Sequence, residues 1–421
     1  MSRSERTAGE PMEVPGADIR TEAAETDVCI VGAGPAGLAL ALMLLRSGVR
    51  VTLVERSTAL RRTFHGEILQ PGGQRVLDEL GVLDAARARG AARLGGFQVL
   101  ERERVLLDID YSRLPAPYDC LLALPQPHLL GELLAACRRL PGFTLLEGHR
   151  IAALRERRPG SPCTGIFANG PDRTRVTIGA RVVVGADGRF SKTRALAGIE
   201  AGRSESFAHD VAWFSLRAPG RETGRVRVHR AAGSAVLVHD THPDRLRVGW
   251  TLPHGGWRQV ARRGIDDIRA ELGGALPQFK DLLHDQIRSM NDLTLLDVFA
   301  AHAREWVRDG LVLIGDAAHT HGPIGAQGIN LALQDAAALH PVLLDALAAG
   351  QPTRERLAPY ARLRGPAAAS VHRMQRMQAK AMFGGGNPVA GFLRARAATL
   401  VTRTRLGALI THKVAYGTGS P

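Results

Sequence analysis

Residues 28–56 read VCIVGAGPAGLALALMLLRSGVRVTLVER. Val28–Val31 is a short apolar run ended by glycine, the pattern of a buried strand. Gly32, Gly34 and Gly37 then spell G-x-G-x-x-G, and LALALMLLRSG continues as a helix with Gly48 as its stop. Gly32 permits a tight turn, Gly34 lets a pyrophosphate approach the backbone, and Gly37 lets the helix pack on the strand. Pro35 and Ala36 sit at the helix N-terminus, whose unpaired N–H groups and positive dipole end favour phosphate. A second apolar run, VRVTLVER, ends in Glu55 and Arg56. Glu55 follows Gly37 by 18 residues, near the spacing of an acid that holds a ribose diol. The uncharged stretch 28–45 has the length of a membrane span, but its glycines and proline fit strand, turn and helix better. A dinucleotide site is expected.

Two later segments specify the dinucleotide. Residues 181–194 read RVVVGADGRFSKTR, a strand followed by Gly185-Ala186-Asp187-Gly188. Residues 310–336 read GLVLIGDAAHTHGPIGAQGINLALQDA, a strand, Gly315-Asp316, a Gly/Pro-rich turn and a helix starting near Gly328. With these three motifs in this order, the chain resembles the FAD-dependent monooxygenases of the p-hydroxybenzoate hydroxylase type. The likeness in layout spans about residues 27–350.

The resemblance implies an α/β fold. A Rossmann-like FAD-binding domain of the glutathione-reductase type is interleaved with a mixed or antiparallel β-sheet substrate domain, and the C-terminus is helical. It implies that Asp316 holds a ribityl or sugar hydroxyl. Gly325, Gly328, Ile329 and Asn330 would present a helix N-terminus to the N1/C2 edge of the reduced flavin. Pro323 and Gly325 leave the ring's reactive face uncrowded. Gln126, in LALPQPHLLGELL, matches the family's glutamine beside the flavin; alternatively it merely starts a surface helix after Pro125. Asp187 contacts cofactor or only holds a turn. His65 stands where the family often has an arginine near FAD or the nicotinamide phosphate, with Arg61 and Arg62 as substitutes. The implied chemistry is reduction of FAD by NADPH or NADH, then oxygen transfer from a flavin C4a-hydroperoxide to an aromatic or unsaturated small molecule of secondary metabolism. No second G-x-G-x-x-G unit serves NAD(P)H, and the family also lacks one.

The expected division is a loose tail over 1–26, FAD-binding pieces at 27–96, 126–203 and 292–350, substrate-domain pieces at 97–125 and 204–291, and a helical region over 351–421. VAWFSL, RVRVHR, SAVLVHD and RLRVGWTL alternate as half-buried strands do. An electron-rich ring needs a base. Alignment of HDVAWFSL with the hydroxylases puts His209 near their substrate phenol, with Tyr111 and Tyr118 as further candidates. Against this stands a histidine that is simply solvated.

The segment FHGEILQPGGQRVLDELG, residues 64–81, is similar to part of the squalene epoxidases, so a flavin epoxidase of an isoprenoid or olefin is the alternative. Its basic amphipathic C-terminus could lie on a membrane surface, although a solvated helix on the FAD domain is favoured. A halogenase is disfavoured because the four tryptophans do not form W-x-W-x-I-P. The net charge of +14 raises nucleic acid as a partner. However, 51 of the 55 cations are arginine and they are spread along the chain without interleaved aromatics, so no nucleic acid is expected. The partners expected are a small-molecule substrate and O2. Four cysteines without a CxxC pair exclude a disulfide scaffold and fit a cytoplasmic protein. His319 and His321 form H-x-H, but no third ligand has suitable spacing, so no metal is assigned.

Overall fold

The computed structural model describes residues 21–58, 66–101, 103–156, 161–171, 174–204, 209–231, 234–383 and 404–417. His65, with Arg61 and Arg62, lies outside them.

The opening motif folds as strand Thr21–Val31, helix Pro35–Arg46 and strand Val51–Glu55. These build an eight-stranded sheet whose parallel centre runs Leu311–Leu313, Arg175–Gly185, Thr21–Val31, Val51–Glu55, Phe143–Glu147. Val28 pairs with both Val182 and Val51. All-apolar runs suit strands covered on both faces, and Val28, Ile30 and Val182–Val184 are fully buried. Each such side chain contributes about 1.5–3 kcal/mol through burial. Helix Pro35–Arg46 packs on helix Gly328–Ala348, so both elements that could hold phosphate or flavin edge rest on one core. Gly328–Ala348 is long and apolar enough to cross a membrane, but Leu331, Leu333, Leu339 and Leu343 are buried against the rest of the fold. The stretch 28–45 is a strand and a twelve-residue helix, not a span.

A second sheet of seven strands runs Thr294–Leu296, His209–Arg217, Arg245–Pro253, Ser234–Thr241, Val226–Ala231, Gly96–Glu101, Arg104–Asp110. All its pairings are antiparallel except Val226–Ala231 with Gly96–Glu101. It is the mixed sheet expected from the alternating segments. One face buries Phe214, Val238, Val248 and Trp250 against short helices spanning 257–286.

Three boundaries differ from the sequence expectation. The loose tail does not reach residue 26, because Glu22–Thr26 pairs in register with Val176–Ala180; the polar side chains of TEAAET hide a strand whose backbone is satisfied by its neighbour. Thr294–Leu296 sits within 292–350 yet extends the seven-stranded sheet. Leu121–Ala123, inside 97–125, pairs with Ile68–Leu69 and Ala92–Leu94 instead. Beyond residue 350, helices Arg354–Phe383 and Arg405–Tyr416 make the C-terminal region. Most of the arginine-rich amphipathic stretch, 384–403, lies outside the described residues.

Candidate active site

A cavity of about 1720 Å³ opens where the two sheets meet. Pockets for one small ligand hold about 300–1,000 Å³, so this one has room for a dinucleotide and a second molecule together. Gly32, Gly34, Pro35, Ala36, Glu55, Arg56, Gln126, Asp187, Asp316, Pro323, Gly325, Gly328 and Ile329 all line it.

At one end, Gly32 has φ +110°, and a Cβ there would stand 2.5 Å from the Ala186 carbonyl oxygen. Gly37 does not line the cavity; a Cβ on it would meet the Gly32 carbonyl oxygen at 2.0 Å, so its role is close helix–strand packing. Gly34 caps helix Pro35–Arg46 without any side-chain hydrogen bond, leaving the first N–H groups of the helix for a ligand. The Glu55 carboxylate accepts hydrogen bonds from Ala33 N at 2.8 Å and Ser57 N at 3.0 Å. It therefore fixes the turn as well as facing the cavity.

At the other end, helix Gly328–Ala348 also begins without a side-chain cap. Its approach turn holds Gly325 at φ +74° and Ala326 at φ +51°. Asn330 acts differently from the expectation. Its Oδ1 accepts from Gln70 N at 2.8 Å, and its Nδ2 donates to the Ala326 carbonyl, so its side chain ties segment 66–73 to the turn. Gln70 adds a second tie, donating from Nε2 to the Gly325 carbonyl and accepting from the Tyr111 hydroxyl at 2.8 Å. Asp187 lines the cavity, but its carboxylate accepts from Ser191 Oγ, Thr193 N and Thr193 Oγ1, which is the turn-holding arrangement. Gln126 donates from Nε2 to the Gly66 carbonyl, while its Oε1 is buried with no partner. An orphaned acceptor in the wall of a cavity with two uncapped helix N-termini fits FAD, which carries N–H and hydroxyl donors as well as phosphate.

The wall facing the seven-stranded sheet carries Trp213, Leu237, Val298 and a charged cluster of Glu67, His239 and Arg247. Arg247 donates to Glu67 from Nε at 3.2 Å and Nη2 at 3.1 Å, although Glu67 is only 5% exposed. His239 shares Nδ1 with the Asp240 carbonyl at 2.9 Å and places Nε2 4.0 Å from Glu67 Oε1. Burial lowers the His239 pKa despite the opposing Glu67 charge, so the ring is neutral near pH 7 with Nε2 as its acceptor. His209, the base expected from sequence, starts strand His209–Arg217 and lines a recess of about 70 Å³ that shares Trp213, Leu237, Val298 and Gly325 with the cavity wall. Tyr111 lines the cavity with its hydroxyl tied to Gln70, and Tyr118 donates to Asp78 at 2.6 Å on an exposed edge.

Sequence reasoning also passed over Asp335. This fully buried carboxylate accepts from Gly315 N, from His319 Nε2 at 2.5 Å and from Arg364 Nε at 2.7 Å. Burial raises its pKa, but the His319 and Arg364 contacts outweigh that and hold it below the usual carboxylate range. Asp335 thus fixes the turn that presents Asp316. Its only sequence signal is an acid within a largely apolar helix.

The sequence profile of the FAD binding domain family matches residues 25–375. 6-Methylpretetramide 4-monooxygenase of Streptomyces rimosus is 49% identical over 396 residues, covering 94% of this chain and 93% of that protein. This chain is a flavoprotein monooxygenase of that family. Among solved structures, the OxyS anhydrotetracycline hydroxylase from Streptomyces rimosus matches the monooxygenase with TM-score 0.72 and 26% identity over 93% of this chain and 76% of its own. Pseudomonas aeruginosa PqsL, in complex with 2-aminobenzoylacetate, gives TM-score 0.77 at 24% identity over 90% of this chain and 100% of that one, a likeness of fold. The monooxygenase therefore has the architecture expected of the p-hydroxybenzoate hydroxylase type.

Proposed function

We propose that this monooxygenase uses NADH or NADPH and O2 to hydroxylate an aromatic small molecule of secondary metabolism, of the kind its relative's name specifies, 6-methylpretetramide. The observation that carries this reading is a single cavity joining two uncapped helix N-termini to the Glu67–Arg247–His239 wall. Bound FAD supplies hydride acceptance, O2 activation and transfer of one oxygen atom; in sum, RH, O2, NAD(P)H and H⁺ give ROH, H2O and NAD(P)⁺.

The chain's own residues bind and orient. Gly34, Pro35 and Ala36 receive the pyrophosphate, and Glu55 and Arg56 the adenosine side. Asp316 takes a ribityl hydroxyl, the N–H groups of Gly328 and Ile329 the flavin's C2 carbonyl edge, and Gln126 Oε1 a flavin or ribityl donor. His239 Nε2 accepts the proton of a substrate hydroxyl, and the Glu67 carboxylate stabilises the imidazolium that results. In this reading the base is His239, with His209 in the adjoining recess as the alternative. The division into an FAD part and a substrate part follows the two sheets, with the boundaries moved as described.

The holoenzyme should be yellow and should bleach anaerobically on addition of NADPH or NADH. In air, a correct substrate should accelerate nicotinamide oxidation and yield a product heavier by one oxygen atom. Protein that takes up no FAD, or FAD that neither nicotinamide reduces, overturns the reading. Epoxidation is the second reading, and it rests on the similarity of residues 64–81 to the squalene epoxidases. NMR of the product separates a hydroxyl from an epoxide.

A further inference from the structure

Behind the Pro323–Gly325 turn, three histidines distant in sequence come together. His302 lies on strand Ala300–Ala303, His321 just after strand His319–Thr320, and His372 on helix Arg354–Phe383. One ring nitrogen from each lies within 4.8 Å of the other two. The ring centroids stand 5.3 Å (His302–His372), 5.5 Å (His302–His321) and 6.4 Å (His321–His372) apart. His302 Nε2 and His321 Nδ1 are both buried without a hydrogen-bond partner, and His321 is 7% exposed. Two orphaned imidazole nitrogens in one spot are costly as they stand.

The neighbours set which nitrogen of His321 is bare. Asp335 is ionised and accepts from His319 Nε2. His319 Nδ1 lies 3.1 Å from His321 Nε2. His319 thus engages His321 Nε2, and Nδ1 is the ring nitrogen left without a partner. A hydrogen bond at the second ring nitrogen usually orients a metal-ligating imidazole; here His319, itself held by Asp335, occupies that position.

We propose that His302, His321 and His372 form a binding site for a divalent transition-metal ion such as Zn²⁺. Zinc–nitrogen bonds are about 2.0–2.1 Å. Nitrogens within 4.8 Å of one another reach that distance by moving inward by at most about 0.8 Å each, within the range of side-chain rotation. Three imidazoles leave a fourth tetrahedral position for water or another ligand, and imidazole ligation suits zinc, copper, nickel or iron. The ion would clamp helix Arg354–Phe383 to the turn at the cavity wall, where Gln375 Nε2 already bonds the Gly322 and Ile324 carbonyls. His319, which the H-x-H spacing offered as a ligand, is instead the orienting residue.

The test is equilibrium dialysis of FAD-loaded enzyme against Zn²⁺, with metal and protein counted after gel filtration. One zinc per chain is expected to survive. H302Q and H372Q should each bind at least about a hundredfold more weakly, and H319Q, which loosens only the orientation, about 10–100-fold more weakly. FAD absorbance and far-UV circular dichroism check that the variants fold. Should they fail to, X-ray absorption on the wild-type zinc protein decides, with imidazole nitrogens at about 2.0 Å expected. Wild-type enzyme that retains no zinc, zinc held equally by H302Q and H372Q, or a zinc spectrum without imidazole scattering overturns the proposal.

Discussion

At the residue scale, Gly32 shows how narrowly the cofactor turn is defined. Its φ of +110° is unfavourable for any L side chain, and a Cβ would meet the Ala186 carbonyl oxygen at 2.5 Å. Gly32→Ala must therefore displace either the turn or the Ala186–Asp187 loop, both of which line the cavity. We expect G32A to purify with little or no flavin at an FAD concentration that saturates the wild type, as read by absorbance near the flavin band. The choice between two histidines is also made at this scale. His239 Nε2 faces the Glu67 carboxylate within the cavity, whereas His209 lines a recess of about 70 Å³. Loss of a general base lowers turnover about 10²–10⁴-fold. His239→Gln should show that loss near pH 7, with recovery at alkaline pH as the substrate hydroxyl ionises by itself, and with flavin reduction unchanged. The opposite pattern, with His209→Gln losing turnover and H239Q unaffected, would return the role to His209.

At the element scale, the long helix Arg354–Phe383 holds the site from outside. Its Arg364, 2% exposed, bonds the fully buried Asp335, and Asp335 in turn holds the Gly315–Asp316 turn through Gly315 N. Removing one member of a buried ion pair costs about 3–5 kcal/mol because the other charge is left uncompensated. Arg364→Met should lower stability by about that amount in denaturant titration. It should also weaken FAD binding, although Arg364 does not line the cavity. This kind of dependence explains what the sequence did and did not disclose. Strand, helix and glycine spacing between residues 28 and 56 is local, and it imposes its own periodicity on the chain, so the parallel sheet and phosphate end were readable. Arg364 with Asp335, Arg247 with Glu67, and the three clustered histidines meet only through tertiary folding. Each of those residues looks like an ordinary surface charge or a solvated ring in its own segment. The strand at 21–26 was missed for a related reason, since its alternation of Thr, Glu and Ala carries no apolar period and its partner lies about 150 residues away.

At the scale of the whole molecule, two sheets must close over the cavity, and the seven-stranded one carries buried histidines that fold uncharged. His229, on strand Val226–Ala231, is 7% exposed, and its Nε2 has no partner. Burial, reinforced by the charge of Arg227, pushes its pKa from 6.5 down to about 4. The sign follows from proton binding: between these two values the unfolded chain takes up a proton that the folded chain refuses, so acid favours unfolding. Stability is intact above pH 6.5, falls as pH drops toward 4, and gains no further loss from this group below that. At about 1.36 kcal/mol per pH unit, His229 alone accounts for a loss of roughly 3 kcal/mol. The net charge of +14 adds self-repulsion in the same direction once carboxylates begin to protonate. His229→Leu should therefore flatten the fall in melting temperature between pH 6.5 and 4 while leaving the wild-type charge repulsion in place. An acid limb of unchanged steepness in H229L would show that His229 is already protonated in the folded sheet.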